Sequence, residues 1–296
     1  MLKYIMPWVF LGITQIWSCD ICGGVSGNAS IGLFASTQFH MIGLKTGSSS
    51  FKSYLHGIEH SRENLWSTEV SCRWQIGKRL QLMASVPYQF GFQTTDLSKA
   101  CISGLGDPTA ILNGILVNQK DSTGRVRQFL SLGIGLKAPF GKWNPKSEVR
   151  NLYPGSGAYN ILGMLNYTTP IKPKWTLQSE IVYNYKLSDT SGFRYGNFFS
   201  LTETMIGNYK WGIGRFIPGF GIGFSNFGKV SVSDNGSNEM GYNGNMLNLK
   251  AHLNYLTYRW LWTSQIEIPV AQNVNNRNVK QKLMAQIGFS YLIRKK

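Results

Sequence analysis

The sequence predicts an all-β protein, a transmembrane antiparallel β-barrel of the outer membrane with about twelve strands. Three observations carry this. Apolar and polar residues alternate with period 2 over long stretches after residue 38, the pattern of strands with unlike faces. The connections between those stretches alternate between short and long, which is how outer-membrane barrels sort periplasmic turns from extracellular loops. Only 15% of the 296 residues are charged while 43% are hydrophobic, against a usual charged share of about 25%. No apolar run approaches the roughly 20 residues that a spanning helix needs, so a helical membrane bundle is excluded. High aromatic content argues against disorder.

The chain opens with MLKYIMPWVFLGITQIWS at residues 1–18. Lys3 gives a positive start and Tyr4 to Ile16 a short apolar core, the pattern of an export signal peptide. Residues 19–37 form a Gly-rich, weakly apolar segment that can enter the lumen as a plug or extend along the periplasmic side. Residues 38–296 form the barrel. Export places the protein in the outer membrane of a Gram-negative bacterium. It also removes a nucleic-acid partner, despite a net charge of +16. The basic excess is spread over turns, loops, lumen and C-terminus, with no single stripe of the kind nucleic-acid binding needs. Outer-membrane lipid and lipopolysaccharide are the expected partners of the surface charges, and a small solute of unknown identity that of the lumen.

Strands are expected near 38–47, 64–77, 79–92, 105–118, 127–141, 157–170, 174–187, 196–209, 214–228, 244–257, 260–271 and 279–292. The fifth alternates Leu130, Leu132, Ile134, Leu136 and Ala138 with Ser131, Gly133, Gly135 and Lys137. The seventh sets Trp175, Leu177, Ile181, Tyr183 and Tyr185 against Thr176, Gln178, Glu180 and Lys186. The tenth sets Leu247, Leu249, Ala251 and Leu253 against Asn248, Lys250, His252 and Asn254. In the eleventh, Trp260, Trp262, Ile266 and Ile268 oppose Thr263, Gln265 and Glu267. In the twelfth, Leu283, Ala285, Ile287 and Phe289 oppose Lys282, Met284, Gln286 and Gly288. Soluble strands are typically about 5–6 residues; these are long enough for a tilted bilayer crossing. Gly77-Lys78, Pro170–Lys174, Tyr209–Ile213 and Tyr258-Arg259 are short links, and 118–126 is intermediate. The links 48–63, 93–104, 142–156, 188–195, 229–243 and 272–278 are long and polar. Apolar faces turn to lipid because a closed sheet satisfies its backbone internally. Trp66, Trp74, Tyr88, Trp175, Tyr185, Trp260 and Trp262 are candidates for interfacial girdles.

The opening Cys19-Asp20-Ile21-Cys22-Gly23-Gly24 resembles the C-D-I-C-G-C start of a group of Bacteroidota outer-membrane proteins described as transporters. Gly104-Leu105-Gly106-Asp107 is similar to their G-x-G-D segment. Leu132–Gly141 resembles their G-x-K-x-P-x-G strand end. Both also resemble the wider barrel family named for the meta-pathway of phenol degradation. The resemblance implies a porin-like barrel and a transport role, with no catalytic residue. The chain departs from the group at Gly24, where a third Cys is common.

Alternation points Glu69, Arg73, Lys137, Glu180, Lys186, Lys250, His252, Glu267, Lys280 and Lys282 into the lumen, with Asp107 near the rim. Mixed charge of this kind either packs a narrow barrel or lines a path for anionic and polar solutes. Glu203 has ambiguous facing. Cys19 and Cys22 form a CxxC with three open readings: a disulfide loop, half of a metal site, or a lipidated Cys19 beside a free Cys22. A zinc site needs further ligands at suitable spacing, and Cys72, Cys101, His40, His56, His60 and His252 do not supply it, so no metal or other cofactor is expected. Cys72 is expected to face lipid and Cys101 to lie in a loop. A barrel hydrolase needs Ser, His and Asn side chains brought together. His60-Ser61 are adjacent in sequence and His252 has no same-face Ser, so an enzyme is not expected. A channel, a closed surface-binding barrel and a metal-linked barrel are the three functional classes left.

Overall fold

The computed structural model describes residues 39–122, 126–147, 149–232, 238–240 and 243–294. The signal peptide, the Gly-rich segment, Cys19 and Cys22 fall outside them. Among the described residues, twelve antiparallel strands close on themselves. They are β1 (Phe39–Leu55), β2 (Ile58–Ile76), β3 (Leu80–Thr95), β4 (Lys99–Leu105 and Thr109–Lys120), β5 (Val126–Lys137) and β6 (Asn160–Lys172). The circle continues through β7 (Trp175–Lys186), β8 (Phe198–Gly207, then Tyr209–Trp211), β9 (Gly214–Phe227), β10 (Gly244–Leu256), β11 (Trp260–Val274) and β12 (Val279–Arg294). Each strand pairs with the next in sequence, and β1 closes on β12 from Phe39↔Arg294 to Ser53↔Val279. Among the described residues the barrel sheet closes on itself, the condition for a sheet in hydrocarbon, while Lys99–Leu105 pairs with β3 alone.

The expected strand count and order hold, and the boundaries differ in instructive places. The link 48–63 is almost all strand: β1 and β2 run on to a two-residue hairpin, His56-Gly57, with φ of 50° and 83°. Positive φ at both positions is the turn whose twist matches paired strands. The link 93–104 likewise shrinks to a tip at 96–98, and Cys101 belongs to β4 rather than to a loop. The link 272–278 narrows to Asn275–Asn278. At these strand ends the simple apolar alternation stops while the hydrogen-bonded ladder continues. The strand expected at 105–118 is two segments, broken at Gly106-Asp107-Pro108, both paired to β3. The strand expected at 196–209 stops at Gly207.

The facing follows the pleat. Trp66, Trp74, Tyr88, Tyr185, Trp260 and Trp262 are exposed on the outer wall, together with Ile42, Leu44, Val70, Leu132, Ile134 and Leu249. Cys72 lies in that outer row, between Ile42 and Ala84, and is a free thiol. Glu203 is also on the outer row, where Ser179 Oγ donates to its carboxylate at 2.7 Å. Glycines take the inward positions wherever a neighbour's side chain needs the space. Along β9, Phe220, Ile222 and Phe224 face out while Gly219 and Gly223 leave room for His252 and Lys250.

Candidate functional site

The inward rows of β1–β4, β11 and β12 enclose a cavity of about 200 Å³. Its wall mixes hydroxyl and amide groups (Ser49, Ser67, Ser71, Ser85, Thr109 and Gln286) with apolar side chains such as Met41, Leu65, Met83, Ile111 and Leu162. Three cations, Lys45, Arg73 and Lys137, and two carboxylates, Glu69 and Asp107, line the same space. Lys45 Nζ stands 3.4 Å from Glu69 across the β1–β2 pair. Asp107 is 1% exposed and works as a clasp. It accepts from Gly141 N at 2.9 Å and from Ser156 N and Oγ at 2.8 and 2.7 Å. Lys137 Nζ lies 3.9 Å from the same carboxylate. The break in β4 is what frees Asp107 to bind the backbone of 138–159 instead of its own strand.

That segment folds inward. Leu152, 2% exposed, packs against Gly91 of β3, where any larger side chain would strike its backbone carbonyl. Arg150 lies 3.4 Å from Asp189 and stacks 4.6 Å from the ring of Phe193. Residues 193–194, 230–232 and 238–240 form a small second sheet beside it. At this end of the barrel the segment and the small sheet are therefore joined through Arg150.

Lys250, Glu267, Glu180 and His252 make a second polar cluster, on β7, β10 and β11. Lys250 Nζ lies 3.4 Å from Glu267 and donates to Thr202 at 3.2 Å. Gln265 donates to Glu267 at 2.6 Å. Glu180 Oε2 and His252 Nε2 are buried without a hydrogen-bond partner among the described residues. Lys186 sits higher, 6% exposed, with its ammonium 5.6 Å from the Tyr195 ring. Lys280 and Lys282 depart from the inward expectation. A bulge in β12 sets two residues, 282 and 283, against Ser50 and shifts the parity. Gln281 turns inward at 5% exposure, while Lys280 and Lys282 are exposed and do not line the cavity.

Toward the other end of the barrel, buried inward side chains form a floor. One arc is apolar: Met41, Ile206, Ile217, Leu261 and Leu292 pack together, with Leu261 at 0% exposure. The other arc is a belt of buried amides, Gln75, Gln81, Asn113, Asn166 and Gln178, in which Asn113 donates to Gln81 at 3.2 Å. Sequence reading missed this floor and missed Lys45; Gln178 and Leu261 stand on strands whose alternation was read, while Met41, Lys45, Gln81, Asn113 and Asn166 stand on strands whose faces were not assigned residue by residue. Among the described residues no group of three or more His, Cys, Asp or Glu side chains is placed to hold a metal ion.

No protein-family model matches the chain, and no curated protein does. The fold is similar to solved barrels. The COG4313 outer membrane channel from Pseudomonas putida F1 superposes with a TM-score of 0.65 at 16% identity, over 86% of this chain and 96% of that one. The beta domain of the Bordetella autotransporter BrkA gives 0.55 at 10% identity, over 86% and 99%. At such identities the likeness is one of architecture, and it agrees with the closed circle of twelve strands: the chain has the fold of an outer-membrane β-barrel.

Proposed function

We propose that the protein is a gated passive channel for small polar solutes, with a preference for anions. The observation that carries this is the cavity: a space lined by both hydroxyl-bearing and apolar side chains, with three cations against two carboxylates. Glu69, Arg73, Asp107 and Lys137 border the path directly. Glu180, Lys250, His252 and Glu267 give the far wall a polar surface, and Lys186 stands near the mouth. Lys282 is not part of it. The channel described for the Pseudomonas putida barrel supports the same reading. Solutes would move down their gradient.

The packed floor means that passage requires the Met41–Leu261–Leu292 cluster to part. In planar bilayers the full-length protein is expected to give small, intermittent conductance steps. Lys137→Gln is expected to lower the anion preference, read from reversal potentials in a salt gradient. Leu261→Ala is expected to make openings more frequent. Silence from both the wild type and Leu261→Ala would overturn the channel. It would favour the second reading, a closed barrel, which the near-zero exposure of Leu261, Gln81, Asn113 and Asn166 supports.

A further inference from the structure

The outer face of the extracellular rim carries a charged feature on the other side of the wall from the lumen. Lys280 of β12 stands opposite Lys52 of β1, and Lys52 opposite Arg62 of β2. Arg62 stands opposite Thr94 of β3, and Thr94 opposite Lys99 of β4. Directly opposed residues share a face. The alternating neighbours Phe51, Ser61 and Glu63 point inward, at 2%, 4% and 3% exposure, so this row points out. With strands about 4.8 Å apart, five strands span about 19 Å. Lys282, exposed at the β12 bulge, lies beside it.

Like charges directly opposite one another on paired strands repel, and Lys280, Lys52 and Arg62 set three in succession. One carboxylate offsets them: Glu59 accepts from Lys52, and from Arg62 Nη2 at 2.9 Å. Lys280 rests 4.9 Å over the Tyr54 ring, and Lys99 is exposed. Just below lie Phe92, then Trp66 and Phe90, exposed on the outer face at 41%, 53% and 39%. Such aromatics mark the membrane interface, which puts the cations at headgroup height. On the far side the corresponding row reads Tyr183, Phe199, Asn226, Asn245 and Asn273, with no charge at all. The basic row is therefore local to β12–β4 and not a general solubilising rim.

We propose that the Lys280–Lys52–Arg62–Lys99 row is a binding site for a phosphate-bearing glycolipid of the outer leaflet, its acyl chains lying along Trp66, Phe90 and Phe92. The ligand's phosphate supplies the negative charge that the cross-strand row lacks, and the Arg62 fork suits two phosphate oxygens at once. The test uses the full-length protein in nanodiscs of neutral lipid doped with lipid A or with chemically dephosphorylated lipid A. Bound lipid is counted by native mass spectrometry. Phosphorylated lipid A is expected to bind preferentially. Lys280→Gln and Lys99→Gln, which leave the Glu59 bonds intact, are each expected to weaken it about fivefold, the usual worth of one cation at an anionic lipid surface. Lys210→Gln, in the β8–β9 hairpin at the opposite end of the barrel, is expected to change nothing. Equal binding of both lipids, or a Lys280→Gln/Lys99→Gln double variant that binds like wild type, would overturn the site. So would capture of inorganic phosphate without preference for the lipid. Conductance of the same preparations is expected to stay unchanged, which separates this site from the lumen.

Discussion

Single side chains decide how the mouth of this barrel is held. Asp107 accepts three hydrogen bonds from Gly141 and Ser156, and a bond to a charged group is worth about 1.5–3 kcal/mol. Asp107→Ala is therefore expected to release 138–159 from the wall. Hydrogen exchange at the Gly141 and Ser156 amides should accelerate about ten- to a hundredfold, with the barrel strands unaffected. Unchanged protection would mean that Leu152 and Arg150 hold the segment alone. Glu59 offers a pH readout. The Lys52 and Arg62 bonds hold its carboxyl below the ordinary value of 4.5. Its ion pairs are thus fully formed above the ordinary glutamate range, and they are lost as pH falls through the depressed midpoint. An NMR titration of the Glu59 carboxyl should show a low midpoint that returns toward 4.5 in a Lys52→Met/Arg62→Gln variant. Asp107 was legible in the sequence as a rim residue; its role as a clasp was not, because its partners lie 34 and 49 positions away.

Strands show which part of a barrel sequence speaks plainly. β5, β7, β10 and β11 cross the bilayer with apolar residues on one parity, and their facing could be read directly. β1, β2 and β12 continue past their regularly alternating stretches, with charged and hydroxyl residues on the outer face, and there the sequence reads like a loop. The β12 bulge adds a one-residue change of parity, enough to turn Lys280 and Lys282 from the lumen to the outside. The glycines of β9 carry a similar lesson in reverse. A Cβ at Gly219 would stand 2.1 Å from His252 Nε2, so Gly219→Ala is expected to displace the imidazole and cost about 1–3 kcal/mol. The urea midpoint of unfolding in vesicles measures it. In the floor, Leu261→Ala removes a fully buried side chain and is expected to cost about 2–5 kcal/mol in the same assay.

The whole molecule is a wall with two chemistries, and its orientation is testable. In a background with all four cysteines, Cys19, Cys22, Cys72 and Cys101, replaced by Ser, an impermeant maleimide added to intact cells should label Lys99→Cys and spare Lys210→Cys. The reverse pattern would invert the barrel and place the basic row in the periplasm. By itself the sequence determined the closed, twelve-stranded architecture, because each strand's lipid face must be apolar and that demand is local, residue by residue. The tertiary structure alone decided what the polar residues do together. Lumen packing, the inward fold of 138–159, the floor of Met41, Leu261 and Leu292, and the succession of cations across β12, β1, β2 and β4 all depend on register between strands distant in the chain. Period-2 patterning states which face a residue takes, but not which residue stands opposite it.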